Sequence, residues 1–589
     1  MLGKQLELEQ SQIIERPIAE VWDLLADTNR LNRSIGLFPV TFSPFRTEAR
    51  RLFREAQGKA YGLLDIQWKE HVFEWVKGSY YSIERNYTKG PVDRVIWKVA
   101  VEELTSLATR VTLSGLFVYK NGIGKLALKK GIIPQLLKTF EYAREAETDG
   151  HIPSGRKSSP ANEVLLAEAK DHLYALGIRE PLVDSLISTI TTADDSEVTH
   201  MQPYRWAEEH GVAKEEAVDL FLLASDAGIL DYEWNLMCPN CRVSKMQTAH
   251  LADVHNAVHC DLCGVDFDVD FDRYIEMRFK VNGALRETVS QVFCLNGPAN
   301  SPQTAAQFRI GPGTTKTISW TPDKVDLQLR VLKHNFVVPF THQHIGPYAS
   351  LHISSDGFLE TTVPQADEIT IRNSTDEEMI LAVETLEWDP YALTARDVTS
   401  MQLFRDLLPK EVLAAGMQIG VGKLTIMFTD LKDSTRLYEQ AGDAAAYSDV
   451  QRHFTELGQI IRKHRGTIVK TIGDSVMAAF SNQIHALQAA LDIQSSVDRL
   501  NTALRNPVTI KIGLHEGPVI AVNANGVLDY FGRTVNMAAR VQQQSIGDDI
   551  VMDRQFYSAV APGLGLHKAE PFTAALRGMS GDTELIRVT

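Results

Sequence analysis

Two stretches near the end of the 589-residue chain combine carboxylates with apolar neighbours in a way that could bind metal ions. KLTIMFTDLKDST predicts an apolar strand that ends at Asp430, with a helix beginning near Ser434. TIVKTIGDSVMAAF predicts a β-hairpin with Asp474 at its bend. If the hairpin pairs beside the first strand, the two carboxylates converge and could hold two Mg²⁺ ions. Taken alone, Asp430 could equally be a helix cap.

Lys470 lies four positions before Asp474, among apolar residues. Charged side chains in such surroundings usually neutralise each other or bind something. The spacing therefore leaves two interpretations open, a local salt bridge between Lys470 and Asp474 or two parts of a binding site.

A third stretch, LDYFGRTVNMAARVQQQS, predicts a strand or loop that carries Asp529, then a glycine turn and a helix. Asn536 and Arg540 are four residues apart, so they share one face of that helix. An arginine and an amide side by side suit a charged phosphoryl group and a sugar oxygen. A solvated helix face is the alternative for this pair.

FTDLKDST, KTIGDSVMAAF and DYFGRTVNMAAR, in this order and spacing, resemble the catalytic domain of the class III nucleotidyl cyclases, the adenylate and guanylate cyclases. The resemblance covers 423–589 and is greatest to bacterial homodimeric adenylate cyclases. It implies a ferredoxin-like βαββαβ fold that converts ATP to 3′,5′-cyclic AMP and pyrophosphate. Two Mg²⁺ or Mn²⁺ ions per site would assist in-line attack of the ribose 3′-oxygen on the α-phosphate.

The resemblance also implies which residues hold the metal ions and assist the reaction. Asp430 and Asp474, with the backbone carbonyl of Leu431, would be the metal ligands. Asn536 would orient the ribose, and Arg540 would stabilise the charge on the α-phosphate in the transition state. In dimers of the family the metal ligands come from one chain and the other site residues from its partner, so a homodimer with shared active sites is expected.

The same resemblance gives Lys470 and Asp529 the task of recognising the base, and it places Arg577 on the terminal phosphates. Lysine only donates hydrogen bonds and an ionised aspartate only accepts them, so the pair complements adenine. Guanine has the reverse polarity, and the family's guanylate cyclases carry an acid where Lys470 stands. ATP is therefore the expected substrate. Asp433 replaces a glycine usual in bacterial members and could weaken nucleotide binding unless it points to solvent.

Other functions fit parts of the sequence. A guanylate cyclase and a non-catalytic regulatory protein on a cyclase fold are the alternatives for the C-terminal region, although the matched residues are all present. An adaptor that binds DNA or protein is a third, disfavoured by the net charge of −15. No nucleic-acid partner is expected.

Length and composition predict a multidomain α+β protein, because 589 residues exceed a single core. No apolar run reaches the length of a membrane span, and the first residues lack a signal-peptide core. Five cysteines are too few for a disulfide scaffold. The expected location is the cytoplasm.

Residues 1–147 predict an α+β domain with an early helix in PIAEVWDLLADTNRLNR, alternating strands such as RVIWKVAV, and a helix from Leu126 to Ala146 interrupted near Pro134. This order resembles the START-like, polyketide-cyclase-like helix-grip fold. The resemblance implies an apolar pocket for a hydrophobic small molecule, and a filled core is the alternative. Residues 148–162, rich in Gly, Ser and Pro, predict a linker.

Residues 163–235 predict a helical, winged-helix-like module, in which the acidic start KEEAVD of the second helix disfavours DNA binding. Residues 236–271 contain two CxxC pairs with the spacing of a zinc ribbon. Four thiolates would close the coordination shell of a structural zinc ion. These cysteines are Cys238, Cys241, Cys260 and Cys263.

Residues 272–391 predict a β-rich domain, a small sandwich, and 392–422 predict a connecting helix between sensor and catalytic regions. Cys294 is expected to be a core residue. The β-rich region also contains four histidines with no carboxylate in fixed register, so loop histidines are favoured over a metal or ligand site. The four are His334, His342, His344 and His352.

Overall fold

The computed structural model describes most of the chain, and the predicted linker 148–162 falls largely outside the described part. Among the described residues, no helix is long and apolar enough to cross a bilayer. The described residues are 4–48, 50–60, 62–145, 160–255, 257–268, 270–288, 291–295, 297–319, 326–334, 336–434, 436, 439, 442–564, 568–577 and 581–589.

The N-terminal region is an antiparallel sheet with helices after its first strand and after its last strand. The sheet and these helices enclose a hydrophobic core. The predicted inward face of RVIWKVAV is confirmed, since Val95, Trp97 and Val99 are buried. The predicted closing helix is divided by a π-helical turn at Leu128–Ile132, and Pro134 follows in the first turn of the next helix, where proline is tolerated. The elements are β1 (Lys4–Ile14), α1 (Ile18–Ala26), α2 (Thr28–Ser34), β2 (Val40–Phe42), β3 (Arg46–Glu48), β4 (Arg51–Ala60), β5 (Leu64–His71), β6 (Glu74–Val76), β7 (Tyr80–Lys89), β8 (Val92–Thr105), β9 (Ala108–Tyr119), α3 (Gly122–Ala127), α4 (Ile133–Leu137) and α5 (Thr139–Glu145).

The next region is a helical module followed by a small sheet and a two-stranded hairpin. Its turns lie at Gly211 and Gly228, both with positive φ, as the sequence predicted. The elements are α6 (Glu163–Ala175), α7 (Glu180–Thr192), α8 (Pro203–Glu209), α9 (Lys214–Asp226), β10 (Leu230–Met237), β11 (Ser244–Thr248), β12 (Ala257–Cys260), β13 (Val265–Asp268) and β14 (Ile275–Val281).

The first strands of the predicted β-rich region pair with neighbouring regions of the chain. Strand β14, expected to begin this region, instead pairs antiparallel with β10 of the module. The first strand of the region proper pairs with β6 through Ala306 and Val76, so hydrogen bonding continues into the N-terminal sheet. The elements are β15 (Thr304–Ile310), β16 (Thr315–Ser319), β17 (Leu327–Val331), β18 (Phe336–Ser354), β19 (Gly357–Phe358), β20 (Val363–Asn373) and β21 (Met379–Thr385).

The C-terminal region contains a βαββαβ unit whose four strands lie in the order β23-β24-β22-β25, the ferredoxin-like order expected from the sequence. The helix expected from Ser434 falls on a partly described segment, and the next described helix begins at Asp443. The elements are β22 (Gln418–Leu431), α12 (Asp443–Lys463), β23 (Thr467–Ile472), β24 (Ser475–Phe480), α13 (Gln483–Ala503), β25 (Ile510–Ala524), β26 (Val527–Phe531), α14 (Arg533–Gln542), β27 (Asp549–Asp553), α15 (Arg554–Leu564), β28 (Ala569–Ala575) and β29 (Asp582–Val588).

The connecting segment is two short helices, α10 (Ala395–Thr399) and α11 (Gln402–Leu407), rather than the one helix predicted for 392–422. Helix α11 ends before Pro409, which cannot continue a helix. Strand β22 then begins at Gln418, earlier than the predicted boundary, because its first residues pair with β25.

Two separate cores cover the two faces of the C-terminal sheet. Helices α12, α13 and α15 pack on one face through residues such as Leu457, Ile493 and Phe556. On the other face, Met477 and Tyr530 belong to a core that continues through α10 and α11 into the helical module. The module is therefore joined through α10 and α11 to the sheet that carries the predicted site residues.

Candidate active site

The two predicted metal-binding aspartates are brought together by strand pairing. Thr429 of β22 pairs with Val476 of β24, so Asp430 lies beside the bend of the β23–β24 hairpin. Ser475 Oγ donates a hydrogen bond to Asp430 Oδ1, and the Leu431 N–H donates to Asp474 Oδ2 at 3.2 Å. The sequence predicted that the two carboxylates converge if the hairpin pairs beside the first strand. The structure shows this pairing, and it brings Asp430 and Asp474 together.

The electrostatics of this pair suit a divalent cation. Burial raises the pKa of the Asp430 carboxyl, and the charge of Asp474 raises it further, against hydrogen bonding by Ser475 and the charge of Lys511. Two neighbouring carboxylates repel each other when both are ionised, and a bound cation removes that repulsion. Oxygen donors are also the ligands that Mg²⁺ and Mn²⁺ prefer, so the donor set fits these ions.

Lys470 pairs with Asp529 and not with Asp474. Its Nζ lies 2.7 Å from Asp529 Oδ2, and it also lies 5.0 Å from the centre of the Phe531 ring. The Tyr530 N–H donates to the other oxygen of Asp529 at 2.8 Å, which fixes the carboxylate. The Asp529 side chain is 10% exposed and that of Lys470 is 34% exposed, so both can still be reached.

Asn536 and Arg540 lie on α14, as predicted, and Ala538 and Val541 anchor that helix by facing the core. Asn536 is exposed and Arg540 is half-buried. Within the described part of the chain neither side chain makes a hydrogen bond or an ion pair, so both remain available to a ligand.

The two remaining residues that the sequence singled out, Arg577 and Asp433, are both exposed. Arg577 is exposed just after β28, next to residues 578–580, which lie outside the description. Asp433 is exposed and has φ of 55°, a left-handed conformation that glycine adopts most easily and aspartate tolerates. This backbone conformation explains why a glycine would be usual there.

Two residues of the connecting segment that the sequence did not single out contact the strands that carry Lys470 and Asp529. Gln402 Oε1 accepts hydrogen bonds from Thr467 Oγ1 and the Ile468 N–H, both at 3.0 Å. Arg405 Nη1 donates at 2.8 Å to the carbonyl of Leu528, the residue before Asp529. No local pattern could reveal these contacts, because the partners are more than 60 positions away.

A buried carboxylate fixes the end of the connecting segment to the module. Glu411 accepts hydrogen bonds from Trp234 Nε1 at 2.9 Å, Tyr232 Oη at 3.0 Å and the Leu251 N–H at 2.9 Å. His250 Nδ1 lies 2.7 Å from it, and the hydrogen bond to Glu411 raises the pKa of His250. Several donors together can stabilise a charge that burial alone would penalise.

The four CxxC cysteines converge into one buried cluster. Their sulfur atoms all lie within 4.8 Å of one another, and Cys241 Sγ is 3.7 Å from Cys260 Sγ. A tetrahedral zinc site with Zn–S bonds of about 2.3 Å requires sulfur separations of about 3.8 Å. The donors therefore fit a zinc ion. In the described part of the chain this is the one cluster of three or more candidate metal ligands.

The other predictions for the central regions have mixed outcomes. Cys294 is buried in the N-terminal core, as expected. The expectation that no carboxylate accompanies the histidines is wrong for His352, whose Nδ1 lies 2.9 Å from Glu360 Oε1. His334 is 3.8 Å from Glu377, and the side chains of His342 and His344 lie outside the described residues.

The N-terminal region contains a cavity of about 1520 Å³. Its wall is largely aromatic and aliphatic, with Trp68, Phe73 and Trp97 among the lining residues. Val292 and Phe293 also line it, and these residues follow directly from the helical module and its sheet. The Val292 carbonyl accepts a hydrogen bond from the Val40 N–H at 2.7 Å, so this segment is fixed to the N-terminal sheet.

Comparison with known protein families assigns the C-terminal region. Residues 418–579 match the family model of the adenylate and guanylate cyclase catalytic domain, and 173–292 match a family of unknown function. Residues 418–579 are thus a class III nucleotidyl cyclase catalytic domain.

Individual relatives match a comparable length of the chain. Adenylate cyclase 1 of Rhizobium meliloti is 27% identical over 158 residues, covering 23% of this chain and 24% of that protein. The adenylate cyclase of Lachancea kluyveri is 29% identical over 168 residues, covering 25% of this chain and 9% of that protein. The chain thus spans about a quarter or less of the length of these relatives. The guanylate cyclase domain of RhGC from Catenaria anguillulae, solved with GTP, is 23% identical, with a TM-score of 0.27, and covers 29% of this chain and 97% of that domain.

Proposed function

We propose that the protein is an adenylate cyclase that converts ATP to 3′,5′-cyclic AMP and pyrophosphate. The observation that carries the proposal is the contact between Lys470 and Asp529 at the end of a cyclase sheet. When adenine enters, Lys470 can donate to its N1 and Asp529 can accept from its 6-amino group. With guanine, the N1–H donor would face the Lys470 ammonium, which is also a donor. This mismatch costs a few kcal/mol in a buried site.

Asp430, Asp474 and the carbonyl of Leu431 would hold two Mg²⁺ or Mn²⁺ ions. Bound there, the ions would supply Lewis acidity to the ribose 3′-oxygen, the α-phosphate and the pyrophosphate. Ser475 keeps the Asp430 carboxylate in place, and the Leu431 N–H does the same for Asp474.

Asn536, Arg540 and Arg577 would act on the nucleotide. The Asn536 amide would donate a hydrogen bond to the ribose or accept one from it, and would so hold the 3′-oxygen in line with the phosphorus. Arg540 would stabilise the negative charge that develops on the α-phosphoryl oxygens, and Arg577 would bind the terminal phosphates. No protein nucleophile is required, because the 3′-oxygen of the substrate attacks.

We further propose that the active form is a homodimer with shared sites, in which the aspartates of one chain face Lys470, Asp529, Asn536 and Arg540 of its partner. Large apolar side chains exposed at the ends of the hairpins beside Lys470 and Asp529 support such an interface. Ile472 and Phe531 are 54% and 50% exposed. Such exposure is costly in a monomer and is relieved when chains associate.

The test is to incubate the purified full chain with Mg²⁺ or Mn²⁺ and either ATP or GTP, and to identify the products by mass spectrometry. We expect cyclic AMP from ATP and much less cyclic GMP. The variant Asp430→Asn/Asp474→Asn is the matched control and should give neither product. Cyclic GMP as the main product would favour the guanylate alternative, and no product would favour a regulatory protein.

The N-terminal two-thirds is proposed to sense an apolar small molecule and to regulate the catalytic domain. The cavity supplies the site, and its lining segment 291–295 follows directly from the module. The module contacts the catalytic sheet through α11, where Gln402 and Arg405 bind the strands of Lys470 and Asp529. A change in module position would therefore change the geometry of base recognition.

Filling the cavity tests this regulation. Ala60 lines the cavity and is buried, so Ala60→Phe should occupy part of its volume. We expect the variant to lose binding of a fluorescent fatty acid and to change the cyclase rate, while Leu107→Phe, at an exposed site of the same region, changes neither. If the variant lost probe binding but kept the cyclase rate, the cavity would bind the ligand without regulating the catalytic domain.

The cysteine cluster is proposed to hold a structural zinc ion. Because all four thiolates would be ligands, no coordination position remains for a substrate. All five cysteines are free of disulfides, which is consistent with the proposed action in the reducing cytoplasm.

A further inference from the structure

The mouth of the N-terminal cavity is surrounded by large apolar side chains that face solvent. Leu64, Ile123, Leu126 and Leu295 all line the cavity, and they are 49%, 71%, 61% and 47% exposed. They come from three separate places in the chain, so the exposed surface is assembled by folding. Exposed clusters of this kind mark sites of interaction with proteins or membranes.

The helices that carry part of this mouth are basic in an acidic protein, and Lys130 itself lines the cavity. Between Glu103 and Glu141 the sequence contains one arginine and five lysines and no acidic residue, although the whole chain has a net charge of −15. Lys125, Lys129, Lys130 and Lys138 lie on or beside α3 and α4 and are exposed. In the described residues none of these four lysines has a carboxylate within 4.0 Å, whereas Asp65 at the mouth is already paired with Lys89 at 3.1 Å.

We propose that this mouth docks on the surface of a lipid bilayer with anionic headgroups. Ile123 and Leu126 would enter the boundary between headgroups and acyl chains, and the lysines would face the headgroup phosphates. The apolar cavity opens between these side chains, so a lipid chain could pass into it without crossing water. The combination of apolar rim, unpaired lysines and continuity with the cavity favours a bilayer over a protein partner. The proposal goes beyond catalysis and does not depend on it.

Vesicle flotation with the full chain tests the proposal without measuring cyclase activity. Vesicles of phosphatidylcholine alone are compared with vesicles of phosphatidylcholine and phosphatidylglycerol, at low and high salt. We expect binding to the anionic vesicles, and weaker binding at high salt because screening reduces attraction between exposed charges. Absence of binding to anionic vesicles at low salt would overturn the proposal.

Two pairs of substitutions separate the apolar and the basic contributions. Ile123→Ser/Leu126→Ser and Lys129→Glu/Lys130→Glu should each lower vesicle binding by roughly tenfold or more. All four residues are exposed, so the variants should fold. Leu359→Ser and Lys423→Glu, at exposed sites elsewhere, should bind like the unmodified chain.

Equal flotation of all variants would also overturn the proposal. If Ile123→Ser/Leu126→Ser instead changed the oligomeric state and left flotation unaltered, the mouth would be a contact between proteins, and the bilayer assignment would fail.

Discussion

Lys470 Nζ and Asp529 Oδ2 lie 2.7 Å apart, although the two residues are 59 positions apart in the sequence. The two charges of this ion pair neutralise each other. A purine that takes up both hydrogen bonds must therefore replace this contact, so binding is favoured only for a base whose donor and acceptor match both side chains.

Reversing the polarity of this pair should change the preferred nucleotide. We expect Lys470→Glu/Asp529→Cys to shift the ratio of cyclic GMP to cyclic AMP production by about 100-fold toward GTP, because the glutamate can accept from guanine N1–H. Initial rates with each nucleotide measure the shift. Lys423→Glu/Asp548→Cys, on the same domain, is the control, and an unchanged preference in the first variant would contradict the assignment.

The proposed sharing of sites predicts complementation between inactive chains. Lys470→Ala/Asp529→Ala and Asp430→Ala/Asp474→Ala should each be inactive alone as homodimers. Mixed chains should regain activity, because one of the two sites of the heterodimer then contains no substitution. Cyclic AMP production after co-expression with two different affinity tags, and purification through both, measures the recovery. A purified heterodimer without activity would refute the shared geometry.

The sequence predicted the local parts of the site because each depends on nearby residues. The β23–β24 hairpin follows from alternation around Gly473, whose φ is 65°, and the face of α14 follows from helical periodicity. The pairing of Lys470 with Asp529 could be suggested only by the family resemblance, since it depends on the sheet as a whole.

The sequence could not predict how the regions pack together. Met477 and Tyr530 are buried on the second face of the C-terminal sheet, but apolar alternation in the sequence does not identify the residues that cover this face. In the structure the connecting helices α10 and α11 pack on this face and join it to the helical module. Likewise, only the folded chain shows that β14 pairs with β10 and that β6 pairs with β15.

Arg405 should position the base-recognition strand without touching the nucleotide. Its Nη1 donates to the Leu528 carbonyl and its Nε donates to the Thr399 carbonyl at 3.0 Å. We expect Arg405→Ala to raise KM for ATP about tenfold and to weaken the preference for ATP over GTP, since losing such bonds costs about 1–3 kcal/mol. Arg405→Lys should recover part of the effect. Arg462→Ala, whose exposed partner is Asp406, is the control. Unchanged KM and preference in Arg405→Ala would exclude this role.

The cysteine cluster should make stability depend on zinc. We expect about one zinc per chain by atomic emission, and a lower Tm after treatment with a strong chelator, because the ion joins two CxxC segments that would otherwise separate. Cys260→Ser should lower Tm and abolish the chelator effect. Cys294→Ala, at a buried cysteine outside the cluster, should keep the chelator effect. A chain without bound metal and with the same Tm after chelation would contradict the zinc assignment.

His71 should make the N-terminal sheet sensitive to mild acid. Burial, with the nearby charge of Arg51, lowers the pKa of His71 to about 4. The neutral ring is satisfied on both sides, since Nδ1–H donates to the Leu52 carbonyl at 3.1 Å and Nε2 accepts from Asn86 at 3.0 Å. A second ring proton would face the Asn86 amide hydrogens and lose that bond.

The direction of the pH effect follows from the difference between the pKa of His71 in the folded chain and the pKa of histidine in the unfolded chain. In the unfolded chain histidine takes up a proton near pH 6.5, before the folded chain does. The free energy of unfolding should therefore be constant above about pH 6.5 and fall as the pH decreases toward 4, by on the order of 3 kcal/mol in total. Hydrogen exchange of peptides from β4 and β5 at several pH values measures this local stability. His71→Gln should remove much of the dependence, whereas His352→Gln, at a half-buried histidine of another region, should retain it. Equal pH dependence in His71→Gln and the unmodified chain would show that another group is responsible.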